Sequence, residues 1–111
     1  MYSDTMVAQT YAQSSMMTAG HLKSYQLLLE KAILLVRSAR GGDHAARNRA
    51  QDIVAQVQSG LNLEYTSAQQ LFIVLGYVWD ALEWDENIYY DRAEDLLRQI
   101  REVVVYIQRT R

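Results

Sequence analysis

Hydrophobic residues recur every three to four positions in four stretches of this chain, the period of helices that each bury one face. The first stretch gives Leu22, Tyr25, Leu28, Leu29, Ala32, Ile33, Leu35, Val36 and Ala39. The second is narrower, with Ala46, Ala50, Ile53, Val54, Val57 and Leu61. The third gives Ala68, Leu71, Phe72, Val74, Leu75, Val78, Trp79 and Leu82, and the fourth Tyr89, Ala93, Leu96, Leu97, Ile100, Val103, Val104 and Ile107. No alternating pattern competes with these, so the chain reads as all-α.

Local signals place the ends. The first helix is expected from about Ala19 to Arg40, stopping at Gly41-Gly42. Asp43 is a good N-cap for the second, which ends near Gly60. Thr66 to Gln69 has the capping-box form, a hydroxyl followed three residues later by a glutamine, so the third helix starts at Thr66 and ends near Trp84. Asn87 stands where a cap for the fourth is needed, and that helix continues to about Gln108. Short connections favour antiparallel neighbours. The expected architecture is an antiparallel up-down four-helix bundle over residues 19–111, preceded by a partly ordered N-terminal cap or tail segment, residues 1–18.

Two helices carry more apolar surface than one core needs. Leu27 and Leu34 lie seven apart on the side of the first helix away from its stripe, among Glu30, Lys31, Arg37 and Ser38. Ile73, Tyr77 and Trp84 line the back of the third in the same way, beside Asp80. A helix apolar on two sides is either central to its bundle or offers a second surface to a partner. Polar residues flanking both back seams favour partial exposure. On that reading Leu27, Leu34, Ile73, Tyr77 and Trp84 are the candidate partner-binding residues.

Composition narrows the function classes. The chain has 111 residues, half of them hydrophobic, no proline and no cysteine. It is long enough for one core and lacks disulfides, thiolate nucleophiles and cysteine metal sites. A net charge of -2 gives no basic footprint for nucleic acid. Acid concentrates between Asp80 and Asp95, where seven carboxylates meet one arginine. Interleaved tryptophan and tyrosine there argue for a solvated helix–turn–helix corner over a calcium loop. The longest apolar-looking uncharged run, Tyr65 to Trp79, falls short of the roughly 20 residues that membrane insertion requires. Nothing near the first residues reads as a signal peptide, so a cytoplasmic protein is expected.

Catalytic chemistry is sparse. The two histidines, His21 and His44, lack the Glu-x-x-His or His-Glu-x-x-His spacing of metal sites and read as solvated groups at helix ends. Gly41-Gly42 sits in a turn with no following lysine, so it is no phosphate loop. The serines near the N-terminus have no base beside them in sequence. The chain reads as a non-enzyme with no cofactor and no metal.

Several stretches together resemble the flagellar secretion chaperone (FliS) family. Tyr11, Gln13, Thr18 and Ala19 match the family's opening tyrosine, glutamine and Thr-Ala pair, with Met16 at a position the family fills with valine or a similar residue. Leu28 to Val36, Leu61 to Tyr65 and Leu96 to Glu102 resemble its first helix, the stretch before its third helix and its closing segment. The sequence departs from the family at Gly20 to Ser24, which lacks the usual proline, and at Leu75 to Trp79. The resemblance implies an ATP-independent chaperone that holds the disordered C-terminal segment of flagellin as surface helices and prevents premature polymerisation. It also implies delivery to components of the export apparatus. It suggests that Tyr11, Met16 and Met17 cover the client surface until client displaces them; the other reading of this segment is that Thr18 simply caps the first helix and the residues before it form a tail. The alternative is a structural or adaptor bundle whose extra seams are buried by self-association in a homodimer.

Overall fold

The computed structural model describes residues 19–110 and shows four helices with short connections: α1 (Ala19–Arg40), α2 (His44–Ser59), α3 (Thr66–Glu83) and α4 (Asn87–Thr110). Each helix packs on the next in sequence, and α4 closes the ring against α1. The diagonal pairs, α1 with α3 and α2 with α4, make no extensive contact. Cross-helix bonds fix the directions. Gln108 near the end of α4 donates to Gln26 near the start of α1 at 2.7 Å, while Arg40 at the end of α1 pairs with Asp91 at the start of α4. Gln58 of α2 donates to the Phe72 carbonyl and Gln51 to the Trp79 carbonyl, so α2 and α3 also run antiparallel. The expected up-down bundle is what the chain builds. Residues 1–18, with the expected cap residues Tyr11, Met16, Met17 and Thr18, lie outside the described residues.

The core is one cluster drawn from all four helices, including Leu29, Val36, Val54, Leu75, Leu82, Tyr90 and Leu97. Three core expectations need correction. Phe72 and Trp79 stand 38% and 37% exposed, because they lie on the flank of α3 that faces α2. There the glutamines of α2 take the carbonyls of Phe72 and Trp79, leaving both rings partly uncovered. Gln51 itself is buried and bonds both the Trp79 carbonyl and the Glu83 carboxylate, the latter at 2.8 Å. Of the adjacent tyrosines it is Tyr90, only 2% exposed, that enters the core, while Tyr89 is half-buried. Neighbouring helical residues point more than a quarter-turn apart, and here Tyr90 takes the inward direction while Tyr89 packs at the edge of the core.

Two caps also differ from expectation. Asp43 does cap α2, accepting from the Ala46 amide at 3.1 Å. Tyr65, not Thr66, is the cap residue of α3: its carbonyl accepts the first helical bond from Gln69, whose side chain turns out to the Leu63 carbonyl. The preceding turn is held by Asn62, whose side chain accepts from the Glu64 amide at 3.1 Å. At α4 the Glu86 carbonyl accepts from both Tyr89 and Tyr90, which places Asn87 inside the helix. The chain has already reversed at Asp85, with φ of 51°, a left-handed conformation that aspartate tolerates better than most residues.

At the opposite end of the bundle, Tyr25 donates to the Gly60 carbonyl at 3.0 Å, tying the start of α1 to the end of α2. The hydroxyl sits where a Cβ on residue 60 would stand, so this crossing needs glycine for space. Gly60→Ala is expected to cost about 1–3 kcal/mol by overpacking. Tyr25→Phe alone should cost about 1 kcal/mol for the lost hydrogen bond. Combined, they should cost less than the sum of the two, since the colliding oxygen is gone. Urea denaturation of the four proteins of that cycle measures it, and additive losses would show that the hydroxyl is not what excludes a side chain at residue 60.

Candidate functional site

All five residues expected on the back seams are surface residues. Leu27, Leu34, Ile73, Tyr77 and Trp84 are between 54% and 63% exposed, although each sits on or immediately beside a helix whose opposite face is core. They do not form one surface. Leu27 and Leu34 belong to α1, Ile73 and Tyr77 to α3 and Trp84 to its C-cap, and α1 and α3 stand on a diagonal of the bundle. α4 lies beside both and divides the five residues between two seams.

On the α3–α4 side, Tyr77, Asp80, Ala81 and Trp84 face Tyr89, Arg92, Asp95 and Leu96 across an open groove of about 570 Å³. Ala81 is buried and Leu96 half-buried, which gives the groove an apolar floor. Trp84 and Tyr89 stack across the helix–helix turn with ring centroids 5.7 Å apart and planes 23° from parallel. Ile73 continues the same stripe one turn before Tyr77, at helical spacing. The groove therefore presents large aromatic walls, a small-residue floor and a mixed rim of two carboxylates and one guanidinium. Such a surface suits an amphipathic helix.

The residues that sequence reasoning missed here are Tyr89 and Arg92, which line the groove opposite Tyr77 and Trp84. Leu96, read as core, packs against the core at its edge and also serves as groove floor. The adjacent pairs Tyr89-Tyr90 and Leu96-Leu97 carried the signal: neighbours about 100° apart on a helix place one member nearer the edge of the buried arc, here Tyr89 and Leu96. Ile88, 67% exposed at the start of α4, was not anticipated either.

On the α1–α4 side, Leu34 lies among Glu30, Ile33, Arg37, Arg98 and Arg101. Glu94 holds this seam together. Its carboxylate meets Arg98 at 2.9 Å, Arg37 at 3.3 Å and Arg40 at 3.6 Å. Much of the expected acidic corner is thus engaged with the bundle: Asp91 and Glu94 hold α1, and Glu83 holds α2.

Asp85, in the α3–α4 turn, accepts from the buried Tyr90 hydroxyl and lies 3.2 Å from His44 Nδ1 at the start of α2. Burial, then the hydrogen bond to Asp85 and the charge of its carboxylate, push the Tyr90 phenol up to about 12, with Arg47 opposing. The phenol is thus held neutral and makes a structural clasp, unsuited to nucleophilic work near neutral pH. Among the described residues no group of three or more His, Cys, Asp or Glu side chains is arranged to hold a metal ion. No described helix is long and apolar enough to cross a membrane.

Comparison of the chain with protein-family models, with curated proteins and with solved structures gives no match in any of the three. The site is therefore read from its own geometry.

A phenol whose pKa is raised by folding contributes stability that is complete below its unfolded value of 10.0 and is lost as pH climbs toward about 12. Thermal unfolding followed from pH 9 to pH 12 should show this loss, and Tyr90→Phe should flatten it while lowering stability near neutral pH by ~1 kcal/mol for the missing bond to Asp85. An alkaline limb as steep in Tyr90→Phe as in the parent would assign the loss to other groups.

Proposed function

We propose that this bundle is a non-enzymatic chaperone that seats an amphipathic helical segment in the α3–α4 groove. The observation that carries the reading is the stripe of Ile73, Tyr77 and Trp84, exposed on the outside of a helix whose inner face is already buried. Covering each of these side chains contributes about 1.5–3 kcal/mol. Part of that is spent on ordering a client that is disordered when free, which keeps release within reach. The client that the sequence resemblance implies is the C-terminal segment of flagellin, held before export and passed to the export apparatus. Aromatic walls over a floor of Ala81 and Leu96 support helix-in-groove capture of such a segment.

Calorimetric titration with the C-terminal segment of flagellin from the same organism tests this directly. Saturable binding with a negative heat-capacity change is expected. Ile73→Asp and Trp84→Ala, both at exposed positions, should weaken it at least ~tenfold, about 1.4 kcal/mol, while circular dichroism shows the helices intact. Binding that ignores both substitutions would move the client off this groove. No heat, together with a stable dimer on sizing chromatography that Trp84→Ala dissociates, would assign the stripe to a homodimer interface instead.

A further inference from the structure

The α1–α4 seam differs from the α3–α4 groove in the one property that selects a partner, its charge. Leu27 and Leu34 stand two turns apart on α1, both more than half exposed, with Ile33 buried beneath. Arg37, Arg98 and Arg101 edge the depression beside Leu34. The carboxylate that serves Arg37, Arg40 and Arg98, that of Glu94, is only 14% exposed, whereas the side chains of those three arginines are 38–43% exposed. One covered carboxylate cannot neutralise three guanidiniums, and Asp91 offsets only Arg40. Arg101 is held more loosely still: its ion-pair contact among the described residues is Glu30 at 3.9 Å, and its buried Nε has no hydrogen-bond partner among them.

We propose that this seam is a second docking site, taking an amphipathic helix with an acidic flank, whose apolar face covers Leu27 and Leu34 and whose carboxylates meet Arg37, Arg98 and Arg101. A groove between two antiparallel helices is straight, and apolar residues two turns apart match the repeat of a helix laid along it. Carboxylates suit the outward guanidiniums, which pair with them in two-pronged fashion. The charge is local, in a chain whose net charge is -2, so it selects for an acidic flank without attracting polyanions in general. The site stands apart from the α3–α4 groove and does not depend on the flagellin reading. A second copy of this chain is a poorer occupant. Its α1 stripe set against itself would bring the arginines of two such seams together, and its α3 stripe on the α1–α4 seam of the next copy makes a head-to-tail contact, which propagates unless it closes into a ring.

The probe is a capped synthetic peptide with leucines at helical spacing and glutamates on both flanks, titrated calorimetrically into the full chain. Two controls accompany it: the same peptide with lysine for glutamate, and a scrambled acidic peptide that cannot form an apolar face. The acidic amphipathic peptide should bind at least ~tenfold tighter than either control and weaken about tenfold between roughly 50 mM and 500 mM salt. Leu34→Asp, at an exposed position, should abolish binding without unfolding the bundle. Arg98→Glu combined with Arg101→Glu should exchange the preference toward the lysine peptide. Equal binding of the acidic and lysine peptides, or binding indifferent to Leu34→Asp, overturns the proposal. So does self-association on sizing that Leu34→Asp disperses, which would give the seam to a second copy.

Discussion

A helix in a four-membered ring can turn only its inner arc and two flanks toward neighbours; the outer arc has nowhere to go but solvent. Everything distinctive about this protein follows from that constraint. α1 and α3 both carry large apolar residues on the outer arc, and they occupy opposite corners. No rearrangement of rotamers could bury Leu27, Leu34, Ile73, Tyr77 and Trp84 while keeping Leu29, Val36, Leu75 and Leu82 in the core. Exposing such side chains on an isolated monomer invites aggregation.

The polar contacts serve to hold that arrangement in register. Leucine and valine cores tolerate repacking, so apolar contacts alone specify helix register weakly. Gln51 and Gln58 fix that register between α2 and α3 by bonding backbone carbonyls two turns apart. Glu94, meeting two arginines of α1 and one of its own helix, does the same between α1 and α4. Tyr90 reaches from the core to Asp85 and so fixes the left-handed turn that brings Tyr89 under Trp84. The aromatic end of the α3–α4 groove is therefore a consequence of how a turn is clasped, several residues from the groove's floor.

Periodicity made the helices and their surplus faces legible, because an apolar stripe on each side of a helix is a statement about angle, and angle is what spacing encodes. It could not show which neighbours would cover each flank. Phe72 and Trp79 have core-like spacing yet stay partly open, since α2 meets that flank with glutamines in place of a second apolar ridge. Caps failed for a related reason. Thr66 and Asn87 are suitable residue types, but the backbone of the preceding turn decides which carbonyl starts the helix, and in both cases it was one residue earlier. The candidate site was half visible: the α3 wall could be read from Ile73, Tyr77 and Trp84, whereas the α4 wall required knowing that Tyr90 takes the core position and leaves Tyr89 outside.

α4 is the element common to both seams, and its geometry separates their chemistry. Leu96 and Arg98 are two residues apart, a little over half a helical turn, so they serve opposite flanks. Tyr89, Arg92 and Leu96 therefore furnish one groove while Arg98 and Arg101 edge the other. A helix laid in either seam would leave the opposite flank of α4 uncovered, so the two surfaces can be occupied together without competing for the same side chains. They are not independent of the fold, though. Glu94 lies on the flank of α4 turned to α1, paired to Arg37 and Arg40, and so helps fix the helix that both seams share.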